Sequence, residues 1–257
     1  MSEIDFGRHS GDYARYRPGF PDFFYDRLET LAPLENAIAA DLATGPGVIA
    51  LELARRGSRV TGIDVAPDQV AAARKLAAEQ ELSDRAEFME GKAEDTGLEG
   101  GAFDLIAAGQ CWHWFDGPAA LEEARRLLRP GGLLVIAYYS YLARHSSLAR
   151  ETEELVHRYN PDWSMSGFSG QYPALVDGVI EGGFDLDEQF CYDHEEAFTH
   201  EAWRGRMRTC NGVGSGGLSP GEVRSFDADL ARHLSENHPE PVAVPHRVWC
   251  VAGRKPG

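Results

Sequence analysis

Short apolar runs alternate with helical patterns from residue 36 onward. The runs NAIAADLAT, RVTGID, AEFMEGKAED, FDLIAAG and LLVIAYYS predict five strands. Three segments between them, GVIALELARRG, PDQVAAARKLAAEQE and GPAALEEARRLL, predict helices; Pro67 is the start signal of the second, and Gly57 and RPGG are the end signals of the first and third. Strands that alternate with helices form a parallel sheet covered on both faces. The pattern therefore predicts an α/β fold with a doubly wound, mostly parallel sheet.

The alternation of apolar runs with helical patterns weakens after residue 140. A helix is predicted over SSLARETEELVHRYN, a loop over PDWSMSGFSGQYP and a strand over FDLDEQFCYDHEEAF. Two further helices, around THEAWRGRMRTC and SPGEVRSFDADLARHLSEN, precede a last strand in PHRVWCVAGRK. The sheet is therefore expected to have seven strands.

The composition narrows the classes of function. The chain has 257 residues, of which 43% are hydrophobic, and its 25 Lys and Arg against 41 Asp and Glu give a net charge of −16. Such a chain repels a phosphate backbone, so no nucleic-acid partner is expected. The four cysteines form no C-x-x-C pair, which argues against a metal cluster, a redox motif or a disulfide framework. No metal is predicted.

The N-terminus is too polar for a signal peptide, and no apolar run is long enough to span a bilayer. We therefore expect a cytoplasmic protein with no membrane partner. The sequence carries no signal for the oligomeric state.

A glycine turn lies between the first predicted strand and its helix. Gly45 and Gly47 leave backbone N–H groups accessible at the helix N-terminus, with no Cβ to keep a ligand away. GPGVIA also fits G-x-G-x-x-A, and Asp64 follows about 20 residues later, where a carboxylate binds ribose hydroxyls. A nicotinamide dinucleotide and S-adenosylmethionine both contain the adenosine that this arrangement predicts.

Three features favour S-adenosylmethionine. Asp41 precedes the turn, where its carboxylate attracts an ammonium group and repels a pyrophosphate. The GKAEDTGL segment offers the backbone of Ala93 and the carboxylate of Glu94 to an adenine edge. GQCWHWFDGP places two tryptophans around His113 at the carboxyl end of a strand, where open α/β sheets bind their ligands.

The ordered segments DLATGPG, GIDVAPDQVAAAR, GKAEDTGL, FDLIAAGQCWHWFD and LLRPGGLLVI resemble the class I S-adenosylmethionine-dependent methyltransferases. YARYRPGFP and QCWHWFD are similar to a subgroup that includes trans-aconitate methyltransferases and many small-molecule methyltransferases. The resemblance covers residues 8–138. It implies a single Rossmann-like domain over residues 1–257, whose parts are an N-terminal helical lid (1–35), a cofactor-binding half (36–138), a substrate-cap insertion (139–178) and a C-terminal part that completes the sheet (179–257).

The resemblance also implies a set of cofactor contacts. The family's first strand ends in D/E-x-G-x-G-x-G, which Asp41, Ala43, Gly45 and Gly47 match with alanine in place of the first glycine. Asp64 corresponds to the acid that accepts both ribose hydroxyls. The other implied contacts are with the adenine, the methionine end or the carboxylate of the cofactor: Tyr16, Arg17, Val65, Ala93, Glu94, Gln110 and Trp114.

Several further residues have two interpretations. His113 either takes a proton from the methyl acceptor or packs as a hydrogen-bonded aromatic. Trp112, Tyr139 and Trp163 either line the acceptor pocket or pack in the core. Arg206 either binds an anionic acceptor or belongs to a solvated helix face.

The predicted function is methyl transfer from S-adenosylmethionine to an O, N or S atom of a small molecule, by in-line displacement that depends on proximity. A hydroxyl or ammonium acceptor needs a base, and His113 is the best-placed residue because an imidazole titrates near neutrality. One alternative is an NAD(P)-dependent oxidoreductase, although the chain lacks a plausible Tyr-x-x-x-Lys pair. Another is a non-catalytic protein that binds S-adenosylmethionine. The acidic composition disfavours a macromolecular substrate.

Overall fold

The computed structural model describes residues 15–214 and 217–257, and seven strands in these residues form one sheet. The strands are β1 (Ile38–Leu42), β2 (Arg59–Asp64), β3 (Ala86–Glu90), β4 (Phe103–Gly109), β5 (Leu128–Tyr141), β6 (Asp185–Phe198) and β7 (Val242–Arg254). Their order across the sheet is β3-β2-β1-β4-β5-β7-β6. The prediction of a doubly wound seven-stranded sheet is confirmed.

The first five strands run parallel to one another. Hydrogen bonds join Gly131 to Lys255 and Leu142 to Pro245, so β7 runs in the opposite direction to β5. The chain reverses its direction of winding between β1 and β4, which are neighbours in the sheet. Ligands of open α/β sheets bind outside the carboxyl ends of the strands at this switch point.

Eight helices and two short 3₁₀ turns occur in the described residues. The helices are α1 (Asp22–Leu31), α2 (Val48–Arg55), α3 (Pro67–Glu79), α4 (Gly117–Leu127), α5 (Ser147–Tyr159), α6 (Pro173–Glu181), α7 (His200–Arg208) and α8 (Pro220–Asn237). The 3₁₀ turns are Trp112–Trp114 and Ala143–His145. None of these helices is both long enough and apolar enough to cross a bilayer.

The chain divides into two compact units. The first, here called the sheet unit, comprises Gly19–Tyr139, Tyr172–Cys191 and Val248–Gly257. The second, here called the helical unit, comprises the described part of residues 1–18 with Ser140–Gln171 and Tyr192–Arg247. Residues 140–171, from the segment predicted as a cap insertion, therefore share a unit with α7 and α8.

Both faces of the sheet are buried in the sheet unit. Along β5, Leu133 and Val135 belong to the core that includes α1, α2 and α3. Leu134 and Ile136 belong to the core on the opposite face, which includes α4. Successive side chains of a strand point to opposite faces, so an almost continuous apolar run is what a sheet covered on both sides requires.

The helical unit has a core of its own. Trp203 of α7 and the α8 residues Phe226, Leu230 and Leu234 are fully buried there. The three residues of α8 recur every four positions, which places them along one face of the helix. Ser219 caps α8 in a reciprocal arrangement with Glu222, and this satisfies N–H groups that the first turn leaves unpaired.

Two elements differ from the sequence prediction. Helix α6 was not predicted, because it has nine residues and buries only Val179, too little for a visible helical period. Strand β5 begins at Leu128, although RPGG was expected to precede the strand. Leu128 pairs with Phe103 before a register shift, and the shift accommodates these four residues within the strand.

Candidate cofactor-binding site

The turn between β1 and α2 has three residues in the left-handed backbone region. Ala43 has φ 49°, Gly45 φ 54° and Gly47 φ 86°. Glycine adopts such angles without steric cost, whereas alanine does not. The strained Ala43 occupies the position where the resemblance leads one to expect glycine, which explains why a glycine is favoured there.

Asp41, at the end of β1, holds this turn against the helix. The Thr44 hydroxyl donates to its Oδ2 over 2.6 Å, and the Ala50 backbone N–H donates to the same oxygen over 3.2 Å. The side chain is buried. Burial raises the pKa of Asp41 from its ordinary 3.8 to about 7, against the opposing effect of the two hydrogen bonds. The site therefore has a carboxylate whose ionisation a nearby cation would favour.

Asp64 lies at the end of β2, the neighbour of β1. Its Oδ2 accepts a hydrogen bond from the Gly45 N–H over 2.9 Å, and its Oδ1 accepts one from the Ala66 N–H over 2.9 Å. Two carboxylate oxygens have about four acceptor positions, so each can accept a further hydrogen bond from a ligand hydroxyl. Val65 follows with 58% of its surface exposed, although its side chain is apolar.

The glycines at and near the turn are required for different reasons. No atom lies within 4 Å of the position that a Cβ on Gly45 would occupy, so the backbone faces open space there. A Cβ on Gly62 would lie 2.5 Å from the Phe88 ring, and one on Gly109 would lie 2.2 Å from Ile49. Gly62 and Gly109 are therefore required by packing, whereas Gly45 keeps the backbone accessible to a ligand.

A side chain of α4 holds the loop after β3 by hydrogen bonds. Glu123 accepts hydrogen bonds from the Thr96 N–H over 2.9 Å and from the Thr96 hydroxyl, and Arg126 pairs with the same carboxylate. The bond to Arg126, assisted by those to Thr96, outweighs burial and lowers the pKa of Glu123 to about 2. Ala93 is buried in this loop. The side chain of Glu94 accepts a hydrogen bond from the Asp116 N–H over 3.0 Å.

Gln110 follows β4 with φ 65°, an uncommon value for a residue with a side chain. Its N–H donates to the Ala137 carbonyl over 2.9 Å, and its side-chain amide donates to the Tyr139 carbonyl. Non-glycine residues with such angles concentrate at functional sites. Through its two hydrogen bonds, Gln110 joins the end of β4 to β5 while it keeps this strained conformation.

His113 is exposed in the 3₁₀ turn that follows. Its backbone N–H donates to the Tyr138 hydroxyl over 3.1 Å, and its Nδ1 lies 3.1 Å from the same oxygen. The Tyr138 ring stacks on Tyr172, with centroids 3.8 Å apart, and burial raises the pKa of the Tyr138 hydroxyl. The Trp114 ring lies 4.5 Å from the His113 ring and is 45% exposed.

Two residues proposed for the acceptor pocket are buried in the sheet unit. Trp112 packs edge-on against Phe115, with ring centroids 5.4 Å apart. Tyr139 lies in the core on the other face of the sheet, with its ring 6.0 Å from that of Phe20. These positions agree with the packing interpretation of both residues.

The remaining predicted residues belong to the helical unit. Trp163 is buried and donates from its Nε1 to the Asn211 side chain over 2.9 Å. The Tyr16 hydroxyl donates to Glu201 over 3.1 Å. Arg17 donates to the Thr209 hydroxyl and carbonyl over 3.1 and 3.0 Å. The first fourteen residues of the predicted lid lie outside the described residues.

The solvated-face interpretation of Arg206 is wrong. Arg206 is buried, and its guanidinium lies 4.6 Å from the centre of the Tyr141 ring, in cation–π contact. The neighbouring arginines differ, because Arg204 and Arg208 both pair with Asp227. Helical periodicity explains the difference, since position 206 lies three residues after the buried Trp203 and therefore on the same face.

Sequence reasoning missed the residues that support the site. Thr44 lies within the DLATGPG segment, but its hydrogen bond to Asp41 was not predicted. Glu123 holds the loop after β3 and Tyr138 holds His113, and neither of these two belongs to a motif. Glu123 and Thr96 are 27 positions apart, and Tyr138 and His113 are 25 apart. A single sequence carries no sign of such pairs.

Comparison with known proteins finds that this chain is similar to methyltransferases. Residues 40–136, which run from within β1 through the glycine turn to within β5, match the family described as a methyltransferase domain. An uncharacterized methyltransferase of Mycobacterium tuberculosis is 30% identical over 155 residues, which are 60% of either chain. A ubiquinone biosynthesis O-methyltransferase of Xylella fastidiosa is 29% identical over 71% of this chain and 72% of that protein.

The chain spans 60% of the length of the mycobacterial relative and 49% of that of a Dictyostelium discoideum protein provisionally named a methyltransferase, to which it is 31% identical. A solved structure aligns with a larger share of this chain. A protein of Anaeromyxobacter dehalogenans, provisionally described as a type II methyltransferase, is 25% identical with a TM-score of 0.69 over 94% of this chain and 99% of that one.

A phosphoethanolamine N-methyltransferase of Haemonchus contortus, solved with S-adenosylhomocysteine, shares the fold at 18% identity with a TM-score of 0.59, over 99% of this chain and 61% of that one. The sheet order and the turn after β1 are consistent with these matches to methyltransferases. Residues 40–136 therefore match a methyltransferase domain, and these similarities support a class I S-adenosylmethionine-dependent methyltransferase. This confirms the family that the sequence predicts, whereas the trans-aconitate subgroup stays a prediction.

Proposed function

We propose that the protein transfers a methyl group from S-adenosylmethionine to an O, N or S atom of a small molecule. The observation that carries the proposal is the open space beside Gly45, next to the Asp64 carboxylate, at the carboxyl ends of β1 and β2. A nucleoside fits there because the backbone can approach it and the carboxylate can accept its ribose hydroxyls.

The cofactor would extend along the strand ends in both directions from the ribose. The exposed Val65 and the backbone of Ala93 would contact the adenine. The Ala43 backbone and the Asp41 carboxylate, directly or through water, would neutralise the ammonium group of the methionine end. The high pKa of Asp41 supports this assignment, because a buried carboxylate that lacks a cationic partner is costly to ionise.

The bound cofactor supplies the electrophilic methyl group, and the task of the protein is to align an acceptor with it in a dry pocket. Gln110 would fix the methionine end, and Trp114 would exclude water from it. His113 would take a proton from a hydroxyl or ammonium acceptor. When its Nδ1–H donates to the Tyr138 hydroxyl, its Nε2 has a lone pair that can accept that proton.

The family matches favour methyl transfer over the two alternatives, an NAD(P)-dependent oxidoreductase and a non-catalytic binding protein. The roles of Tyr16, Arg17, Glu94 and Arg206 in binding cofactor or acceptor stay predictions. So do the cytoplasmic location and the absence of a nucleic-acid partner.

The direct test measures conversion of S-adenosylmethionine to S-adenosylhomocysteine with a panel of carboxylate, hydroxyl, amine and thiol acceptors. We expect turnover with at least one acceptor class, and titration calorimetry should show binding of S-adenosylhomocysteine but not of NAD(H). Binding of NAD(H) alone would support the oxidoreductase. Cofactor binding with no turnover on any acceptor would support the non-catalytic alternative.

A further inference from the structure

We propose that Glu151, His233 and His238 of the helical unit form a binding site for a zinc ion. None of the three belongs to the predicted methyltransferase site, and the proposal does not depend on the methyl acceptor. Glu151 lies on α5, His233 lies near the end of α8, and His238 follows the last residue of α8 as its C-cap.

The three side chains converge on one point. The His233 Nε2 lies 2.8 Å from the Glu151 Oε2, and the His238 Nε2 lies 2.9 Å from the same oxygen. The ligand atoms all lie within 4.8 Å of one another, and the two imidazole rings are 5.5 Å apart. Tetrahedral zinc with bonds of about 2.0–2.1 Å separates its ligands by about 3.3 Å. Small side-chain rotations reach that spacing from the observed one.

Rigid elements present these ligands. On α5, Leu148 and Leu155 are buried in the core of the helical unit, and on α8 Leu230 and Leu234 are buried in the same core. Ligands on packed helices keep their geometry better than ligands on loops. A metal here would link α5 to the end of α8.

The donor set points to zinc rather than to a hard cation. Two imidazole nitrogens and one carboxylate oxygen are a common ligand set of protein-bound zinc, with the fourth position taken by water or another ligand. Magnesium and calcium prefer sites made of oxygen ligands. The spacing H-x₄-H, from His233 to His238, also lies in the range that zinc sites use.

Further contacts orient the two rings. The Asn237 side-chain amide lies 3.3 Å from the His233 Nδ1. The same amide nitrogen donates to the His233 carbonyl over 2.9 Å, which holds the Asn237 side chain beside the ring. The His238 carbonyl lies 2.9 Å from the His200 Nε2, which fixes the backbone at the second histidine. Such supporting contacts are typical of metal sites.

The cluster is also suited to exchange metal with solvent. The side chains of Glu151, His233 and His238 are 32%, 31% and 16% exposed, so an ion can enter without unfolding of the helices.

The test uses the full chain after treatment with a chelator. Titration calorimetry with a zinc salt should show about one ion bound per chain, and the melting temperature should rise with zinc but not with the same concentration of magnesium. Cobalt(II) in the site should give the intense visible absorption of a four-coordinate complex.

The variants Glu151→Gln, His233→Gln and His238→Gln each remove one ligand, and each should weaken zinc binding by at least about 100-fold. His157→Gln is the matched control, because His157 also lies on α5 but contacts Ser166. Its zinc affinity should equal that of the unmodified protein. The melting temperature without metal shows whether each variant is folded, and the zinc-dependent shift is compared only between folded variants.

Three results would overturn the proposal. The first is the absence of zinc binding to the unmodified chain, and the second is an equal response to magnesium. The third is a zinc-dependent shift that persists in every ligand variant that folds, since the ion would then bind elsewhere.

Discussion

The sheet unit and the helical unit differ in how their candidate sites are built: the first relies on unusual backbone conformations, and the second on side chains from distant positions. In the described residues, all non-glycine positions with positive φ lie in the sheet unit: Asn36, Ala43, Glu81 and Gln110. Ala43 and Gln110 border the proposed cofactor site. In the helical unit, the notable features are side chains from distant positions, such as Glu151 and His233, 82 residues apart. A turn that approaches a ligand leaves a local sequence motif, whereas a cluster of distant side chains leaves at most a short spacing such as that of His233 and His238.

The largest expected effect is on the core of the helical unit. Trp203 is fully buried and donates from Nε1 to the Thr152 hydroxyl over 3.1 Å. Trp203→Ala should therefore lower the free energy of unfolding by about 3–5 kcal/mol, as measured by urea denaturation. Trp203→Phe, which keeps most of the ring, should cost much less. An alanine variant as stable as the unmodified chain would contradict the assignment of Trp203 to a packed core.

The next largest effect concerns the sheet unit. Asp64→Ala removes the carboxylate proposed to accept two ribose hydroxyls, so S-adenosylhomocysteine should bind about 100-fold more weakly in titration calorimetry. Asp68→Ala, on the exposed first turn of α3, is the control and should bind normally. Equal affinities of the two variants would remove the main support for a nucleoside at this position.

A third prediction concerns pH. The folded-state pKa of Asp41, about 7, lies above its ordinary 3.8, so the stability associated with its protonated form is present below about pH 4 and is lost as the pH rises through 7. Between pH 5 and 8 this loss should amount to about 2–3 kcal/mol. The difference between the unmodified chain and Asp41→Asn, measured by urea denaturation at each pH, isolates the effect. A difference that does not change with pH would contradict the raised pKa.

The smallest effect is expected at the turn itself. Ala43 has φ 49°, which costs an alanine about 1 kcal/mol, so Ala43→Gly should stabilise the protein by up to about that amount. The comparable substitution Ala50→Gly, inside α2, should destabilise it by about 1 kcal/mol. If both glycines destabilise equally, the left-handed conformation at position 43 is not a source of strain.

The sequence was sufficient for the sheet because strands β1 to β5 and their helices repeat with regular apolar periods. It was insufficient where an element is short or irregular. Helix α6 buries a single apolar residue, and the four residues of RPGG are taken up by a register shift within β5. Both depend on packing with distant parts of the chain rather than on local periodicity.

The same distinction applies to the two sites. Asp41, the glycines and Asp64 could be predicted because a turn that approaches a ligand constrains consecutive residues. The solvated-face interpretation of Arg206 is wrong, and its spacing from Trp203 already places it on the buried face of α7. The cluster of Glu151, His233 and His238 has no comparable local pattern beyond the spacing of its two histidines. It becomes visible only when α5 packs beside α8.

The burial of the tryptophans has a practical consequence. Trp112, Trp163, Trp203 and Trp249 are at most 8% exposed, whereas Trp114 is 45% exposed beside the proposed cofactor site. A collisional quencher such as acrylamide therefore reaches mainly one indole. If a ligand binds at the proposed cofactor site, the emission of Trp114 should change, and binding could then be followed without a dye or a tag.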